Sequence, residues 1–275
     1  MGYPLVRLVT LSFQKFGQSQ LWGFQPAEWV GFDNFSGVLG DSEFWQVVVR
    51  TIVFAAGSVI FTMVIGMLIA LLLQRVSGWV KTMVNIVLVA SWGMPIIVAT
   101  TVFKWLFDSD YGILNALLSK LPYVDLVGHN WFASGPQGLA VIMLLVVWGA
   151  VPFVVITLSA GLTQVPAELE EAARLDGAGA WGVFRFVTLP ILKPIIVMLT
   201  TLSVIWDMGV FPQVFVMRDG HPEDDFQLLT TYSYKRAFEI NDYAQGSAIA
   251  LITVVLLLGV VAVYMRQMLK IGEVE

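Results

Sequence analysis

The sequence contains no cysteine, which excludes a disulfide framework, a thiolate metal site and a cysteine nucleophile. Its only histidines, His129 and His221, lie too far apart in sequence to form a helical metal motif. No Gly-x-x-x-x-Gly-Lys-Ser/Thr sequence occurs, so the chain carries no Walker-type nucleotide site. No set of nucleophile, base and acid stands out either. The sequence therefore predicts no catalytic residue, metal or cofactor on this chain.

Charge is scarce as well. Charged residues make up 13% of the 275 residues and hydrophobic residues 57%, whereas a soluble domain usually has about 25% charged residues. The mean hydropathy is +0.79, and the shortage of charge falls in long apolar runs. The net charge of −5 gives no reason to expect a nucleic-acid partner. The composition predicts a multi-spanning membrane protein in a lipid bilayer.

Five apolar runs reach the length of about 20 residues that a helix needs to cross the hydrocarbon core. A sixth run at the start is shorter and lacks the basic region and cleavage site of a signal peptide. We expect it to be the outer end of a first span that begins before this sequence, with an interfacial helix as the alternative. The predicted spans are about 1–14 (partial), 47–73, 83–107, 139–162, 191–216 and 248–269.

Proline and small residues occur inside these spans. Each proline removes a backbone donor and bends a helix, which favours a translocation path over a passive anchor. Small residues at helical spacing, among them Gly66 and Ala70, would let another helix approach closely. The prolines in the predicted spans are Pro95, Pro152, Pro194 and Pro212.

Residues 163–190 form the one long polar, helix-forming segment between two predicted spans. Pro166 suits a first helical turn, and Glu170 and Arg174 are spaced as a favourable i, i+4 pair. Gly177 then ends the helix. Lysine and arginine are denser on this side of the predicted topology, which places the segment in the cytoplasm. The residues alone leave two interpretations, an interaction surface and a solvated connector.

Asp207 is the one acid well inside a predicted span. A carboxylate there costs at least ~2.5–3.5 kcal/mol on insertion scales, so it should face a water-filled cavity or a partner. A structural pair with a lysine or arginine of a neighbouring helix or subunit is the alternative. Sugars stack their C–H faces on aromatic rings and need polar partners for their hydroxyls. The substrate-path candidates are Trp148, Phe153, Ser203, Trp206 and Asp207, although aromatics in spans more often pack or face lipid.

A motif in the polar segment carries a specific resemblance. It consists of Glu171-Ala172-Ala173, three residues, Gly177, nine residues, and Val187-Thr188-Leu189-Pro190. This spacing resembles the cytoplasmic EAA loop in the membrane subunits of binding-protein-dependent ABC importers, with Val187 where isoleucine is usual. Residues 29–35 and 230–234 are similar to the carbohydrate-uptake branch, and Arg50 replaces its usual asparagine. The resemblance runs nearly end to end and is loosest over 211–222.

The resemblance implies an all-α membrane protein with the six-transmembrane-helix fold of an ABC importer permease, of the maltose-transporter type, as one domain over residues 1–275. It implies a permease subunit, not an enzyme, in a bacterial or archaeal cytoplasmic (inner) membrane. The expected partners are a second homologous permease, an ATPase subunit dimer that binds ATP and Mg, and an extracytoplasmic solute-binding protein that delivers a sugar.

The same resemblance implies a coupling loop, about 163–190, that contacts the ATPase. Its expected contact residues are Glu171, Ala172, Ala173, Asp176, Gly177, Leu189 and Pro190. An ion-coupled secondary transporter that uses Asp207 is the alternative function. Such carriers often show symmetry-related halves, and the sequence has no evident halves.

Overall fold

The structure, a computed structural model, describes the backbone of residues 2–272 and the side chains of residues 2–266. Helices account for most of this range. They are α1 (Gly2–Ser12), α2 (Gln18–Leu21), α3 (Asp33–Gly40), α4 (Ser42–Leu73), α5 (Gly78–Trp92), α6 (Ile96–Leu106), α7 (Ile113–Leu118), α8 (Gly135–Leu162), α9 (Ala167–Leu175), α10 (Ala180–Val183), α11 (Leu189–Met208), α12 (Pro212–Met217), α13 (Leu229–Tyr234) and α14 (Tyr243–Gly272).

Shorter elements lie between these helices. Two π-helical segments cover Phe184–Thr188 and Lys235–Glu239, and a 3₁₀ turn covers Asp224–Phe226. Strands β1 (Gln14–Lys15) and β2 (Glu28–Trp29) pair antiparallel, with Gln14 opposite Trp29.

Four helices in the described range are long and apolar enough to cross a membrane: Ser42–Leu73, Gly135–Leu162, Ala180–Met208 and Tyr243–Arg266. The third runs from α10 through the π-helical segment into α11. Helices α5 and α6 qualify together as one bent pair, which gives up to five spans. Helix α1 has 11 residues, which is too short to cross alone, so the first predicted span stays a prediction.

Two predicted spans are interrupted. Within 83–107 the helix ends at Trp92 and restarts at Ile96, because Pro95 has no N–H to continue the helical hydrogen bonds. Within 191–216 the helix ends at Met208. Pro212 then occupies the start of α12, where its missing N–H costs nothing. Pro212 therefore begins a short helix and does not kink a span, contrary to the sequence expectation.

The chain forms two compact units. The first comprises the chain up to Ala56 together with Ile96–Met143 and Trp206–Gly259. Its core includes a cluster of apolar side chains around Tyr232, which is 1% exposed. The second comprises Gly57–Pro95, Leu144–Ile205 and the chain from Val260 onward.

Close helix packing characterises the second unit. A Cβ added at Gly66 on α4 would lie 2.5 Å from Val154 Cγ1 on α8, so the two helices touch where only glycine fits. Ala70, one turn further on, is fully buried in the same cluster as Val154 and Leu199. The expected close approach of a helix at Gly66 and Ala70 is confirmed, and α8 is the helix that approaches.

Candidate functional site

Helix α9 forms the first half of the predicted coupling loop. Pro166 precedes its first residue, and Glu168 and Glu170 occupy its first turn, where the helix dipole favours negative charge. Arg174 Nη2 lies 3.6 Å from Glu170 Oε2, so the i, i+4 pair expected from the sequence is present. The dipole and the ion pair therefore favour a helix over these residues.

A glycine turn ends α9. Gly177 has a φ of +90°, in the left-handed region that residues with a side chain rarely adopt. The turn satisfies helix-terminal carbonyls, since Asp176 N–H donates to Ala172 O at 3.0 Å and Ala178 N–H donates to Ala173 O at 2.9 Å. Gly177 thus fixes the direction in which the chain leaves the helix.

Most side chains of α9 are exposed. Within the described chain, α9 has no buried residue; Glu171, Ala172, Asp176 and Gly177 are exposed and Ala173 is half-buried. Leu175 is 88% exposed and Trp181 is 68% exposed. Leu175 is the last residue of α9, which lies between two candidate membrane spans, whereas Trp181 lies on α10 at the start of the second of these spans. A large apolar side chain such as Leu175, exposed on a short polar helix, favours a protein contact surface.

The second half of the loop continues into a membrane span. Leu189 N–H donates to Phe184 O, five residues back, which is the π-helical pattern. Pro190 follows directly and has no N–H to offer. Leu189 is 37% exposed and Pro190 is exposed. The chain forms one continuous helix from α10 through this π-helical segment into α11.

One polar contact joins the two halves. Thr188 Oγ1 donates to Glu170 Oε1 at 3.4 Å, and Thr188 is 4% exposed. The structure thus brings Thr188, next to the predicted Leu189 and Pro190, into contact with α9. Nothing in the sequence predicted this pair, although the hydroxyl inside the Val-Thr-Leu-Pro motif was the available signal.

Three substrate-path candidates lie in the second unit. The Phe153 ring on α8 stacks on Trp92 of α5, with centroids 5.8 Å apart and planes 20° apart. Trp148 is half-buried on α8, and Ser203 on α11 is 4% exposed. Trp92 was missed in the sequence because nothing local connects it with Phe153. The stacked pair gives α8 a rigid aromatic surface.

The other two candidates lie in the first unit. Trp206 is 49% exposed and Asp207 is 3% exposed. Asp207 Oδ2 is buried without a hydrogen-bond partner among the described residues. A buried carboxylate oxygen needs a polar partner, so this atom is available to a solute, a water or a side chain of another subunit. Its role in a substrate path remains a prediction.

Among the described residues, no group of three or more His, Cys, Asp or Glu side chains is arranged to hold a metal ion.

Comparisons with known proteins identify the family and the fold of the chain. Residues 62–270 match the family described as the binding-protein-dependent transport system inner membrane component. The chain is 42% identical over 275 residues to the diacetylchitobiose uptake system permease protein DasB of Streptomyces coelicolor, over 100% of this chain and 84% of that protein. It is 32% identical over 264 residues to the sulfoquinovosyl glycerol transport system permease protein SmoG of Agrobacterium fabrum, over 96% and 83%.

A solved structure has the same fold. A chain in the crystal structure of a bacterial alginate ABC transporter, in complex with an alginate pentasaccharide-bound periplasmic protein, matches with a TM-score of 0.81. The match covers 98% of this chain and 89% of that chain at 18% identity. The chain is an all-α, multi-pass membrane protein with the fold of an ABC importer permease, and it belongs to the family of inner membrane components of binding-protein-dependent transport systems.

Proposed function

We propose that this chain is the permease subunit of an ATP-driven ABC importer and that it translocates a sugar delivered by an extracytoplasmic binding protein. Family membership supports the permease role. The sugar class is supported by the relatives, whose names specify diacetylchitobiose and sulfoquinovosyl glycerol. A buried carboxylate and an aromatic stack in the spans are chemistry that suits a saccharide.

One observation carries the coupling role: α9 and its glycine turn lie between two candidate membrane spans and leave Glu171, Ala172 and Leu175 exposed. Helix α9 has no buried residue and gains little from folding alone, because a stable helix usually buries one face. A cleft on an ATPase subunit would cover that face. Small side chains at Ala172 and Ala173 would allow the cleft to approach the backbone closely.

The proposed movement starts at the ATPase dimer, which binds ATP and Mg. Closure of that dimer would draw this loop toward the corresponding loop of a second, homologous permease. The displacement reaches the membrane because α10, the π-helical segment and α11 form one continuous helix. The ATPase shifts the permease between two states only by binding one state better than the other. A rigid coupling segment would move together with the ATPase and would carry the connected membrane helix with it.

The proposed location is a bacterial or archaeal cytoplasmic membrane, with the coupling loop on the cytoplasmic side. ATP hydrolysis is assigned to the partner ATPase, since the chain has no Walker-type sequence. An ion-coupled secondary transporter that uses Asp207 is not favoured, because the chain belongs to a binding-protein-dependent family.

The complex with its neighbouring permease, ATPase and binding protein is the sample that tests this function. It would be reconstituted in vesicles and its ATPase activity measured against a panel of mono-, di- and oligosaccharides loaded on the binding protein. We expect one saccharide class to stimulate hydrolysis and to accumulate inside. Uptake that persists without ATP and collapses with an uncoupler would contradict the proposal.

A further inference from the structure

A groove of about 870 Å³ lies on the first unit, between the N-terminal half of α4 and the first turns of α8. A volume in this range is typical of small-molecule sites. Most of the groove wall is apolar. Its apolar side chains include Val49, Val53, Phe54, Leu139, Ala140 and Met143.

The rim of the groove is exposed although it is apolar. Trp45 is 51% exposed, Val49 is 59% exposed and Val53 is 63% exposed. All three lie on α4, which is one of the candidate membrane spans. Exposed aliphatic side chains on a span suit contact with hydrocarbon, and a tryptophan near the end of a span suits the interface with the headgroups.

Two opposite charges stand in the lining, Arg50 and Asp225. Arg50 Nη1 donates to Asp224 O at 2.6 Å and to Gln227 O at 3.1 Å. Its Nη2 lies 4.0 Å from Asp225 Oδ1, at the limit of an ion pair. The side chain of Asp225 is 77% exposed and that of Arg50 is 22% exposed, and both line the groove.

The position of Asp225 is fixed by the fold. A Cβ added at Gly135, the first residue of α8, would lie 2.6 Å from Asp225 Cβ and 2.7 Å from Asp225 O. The loop therefore packs directly on a glycine at the end of α8. Arg50 holds the same loop from the α4 side through its two bonds to backbone carbonyls. The pair of charges is thus built into the groove and does not depend on a mobile loop.

We propose that this groove binds one membrane phospholipid with a primary-amine headgroup, of the phosphatidylethanolamine type. An acyl chain covers the apolar wall, the phosphate lies at the Arg50 guanidinium and the ammonium lies at the Asp225 carboxylate. A lipid with only a negative headgroup leaves Asp225 facing like charge. A sugar finds too few hydroxyl partners along a wall of valine, leucine and methionine. The proposal is independent of the transported solute.

A photoactivatable phosphatidylethanolamine, with the reactive group on its acyl chain, tests the site in the full transporter complex in phosphatidylcholine nanodiscs. We expect labelled peptides from 45–54 and 136–143. Ala140→Trp fills the groove and should lower this labelling by roughly tenfold. Ala262→Trp, the same change at an exposed alanine of α14, should leave it unchanged.

The preference for the headgroup is tested separately, by competition between lipids and without a substitution that fills the groove. Unlabelled phosphatidylethanolamine should compete better than phosphatidylcholine or phosphatidylglycerol. Asp225→Asn should reduce that preference about two- to fivefold, because an exposed ion pair contributes on this scale. Equal competition by the three lipids, or labelling that ignores Ala140→Trp, would overturn the proposal.

A protein occupant is detected in the same system. The chain has no cysteine, so Val53→Cys provides a unique thiol on the rim. Efficient cross-linking of that thiol to the second permease would mean that a helix of the partner, and not a lipid, covers the groove.

Discussion

Thr188 donates its hydroxyl to Glu170 at 3.4 Å and so connects the exposed helix α9 with the start of a membrane span. Thr188 is buried, and the chain from Ala180 to Met208 is one continuous helix. A displacement of α9 can therefore be transmitted to α11 in two ways. One is the covalent connection through the turn at Gly177, and the other is the hydrogen bond between Thr188 and Glu170.

The Thr188 contact should affect coupling more than stability. Thr188→Val keeps the shape and removes the hydroxyl, which should cost about 0.5–1.5 kcal/mol. We expect the complex to assemble, with ATP hydrolysis that continues while fewer sugar molecules enter for each ATP consumed. Thr163→Val is a matched control, because the Thr163 hydroxyl bonds only within its own turn, to Ala160 O. An unchanged ratio in Thr188→Val would remove this contact from the mechanism.

Gly177 should not tolerate a side chain. At a φ of +90° an ordinary residue costs of order 1–3 kcal/mol and a β-branched one more. Gly177→Val should therefore abolish sugar uptake while membrane insertion persists. Gly179→Ala is the control: its φ is −71° and no described atom lies within 4 Å of an added Cβ.

Uptake in vesicles and the level of inserted protein would be measured for both glycine variants. Normal sugar-coupled ATP hydrolysis in Gly177→Val would refute the role assigned to the turn.

Gly66 should be essential for packing. Because a Cβ there would lie 2.5 Å from Val154 Cγ1, Gly66→Leu forces α4 away from α8 and should cost about 1–3 kcal/mol or more. We expect a lower thermal midpoint for the purified complex. Gly149→Ala should have little effect, since no described atom is within 4 Å of its added Cβ. Equal midpoints for Gly66→Leu and wild type would contradict the packing of α4 on α8.

Asp207 should matter for the solute. Its Oδ2 is buried without a partner among the described residues, so Asp207→Asn keeps the shape and removes the charge. Sugar uptake, or its selectivity in the saccharide panel, should change more than the yield of assembled complex. A complex that fails to assemble would favour the alternative, a structural pair with a cation on a neighbouring helix or subunit.

A loop in the first unit should respond to acid. Arg218 Nε donates to Glu223 Oε2 at 2.8 Å, and this bond holds the pKa of the Glu223 carboxyl below its usual range. A lowered pKa stabilises the fold fully above the ordinary value of about 4.3 and loses that effect as the pH falls through the lowered value. Amide protection over residues 218–226, corrected for intrinsic exchange, should therefore fall as the pH drops below about 4.

Glu223→Gln is the control for this acid response. It should show weaker protection at neutral pH and a flatter pH profile. The same profile in the variant and the wild type would show that another group titrates.

Several features could be predicted from the sequence because their causes are local. Long apolar runs predicted the helices at α4, α8 and α14, and the spacing of Glu170 and Arg174 predicted their ion pair. Gly177 was expected to end α9, and it does so with a positive φ. Each of these features depends on residues within one continuous stretch of sequence.

Other features depend on distant residues or on hydrogen-bond geometry. The stack of Trp92 on Phe153 joins residues 61 positions apart, and Arg50 meets the Asp225 loop across more than 170 positions. Single-sequence periodicity has no access to such pairs. The π-helical pattern before Pro190 was also missed, because a helix with one wider turn has nearly the same apolar spacing as a regular one.

The contact between the coupling segment and an ATPase subunit is the decisive point. Leu175→Cys places a single thiol on the most exposed apolar position of α9, at 88% exposure. Tyr123→Cys provides an exposed control thiol outside the coupling loop, between α7 and α8. In the assembled transporter a short thiol cross-linker should join residue 175, and not residue 123, to the ATPase, with a yield that changes on ATP binding. Cross-linking of neither position to the ATPase, in a complex that still imports sugar, would contradict the coupling role of this segment.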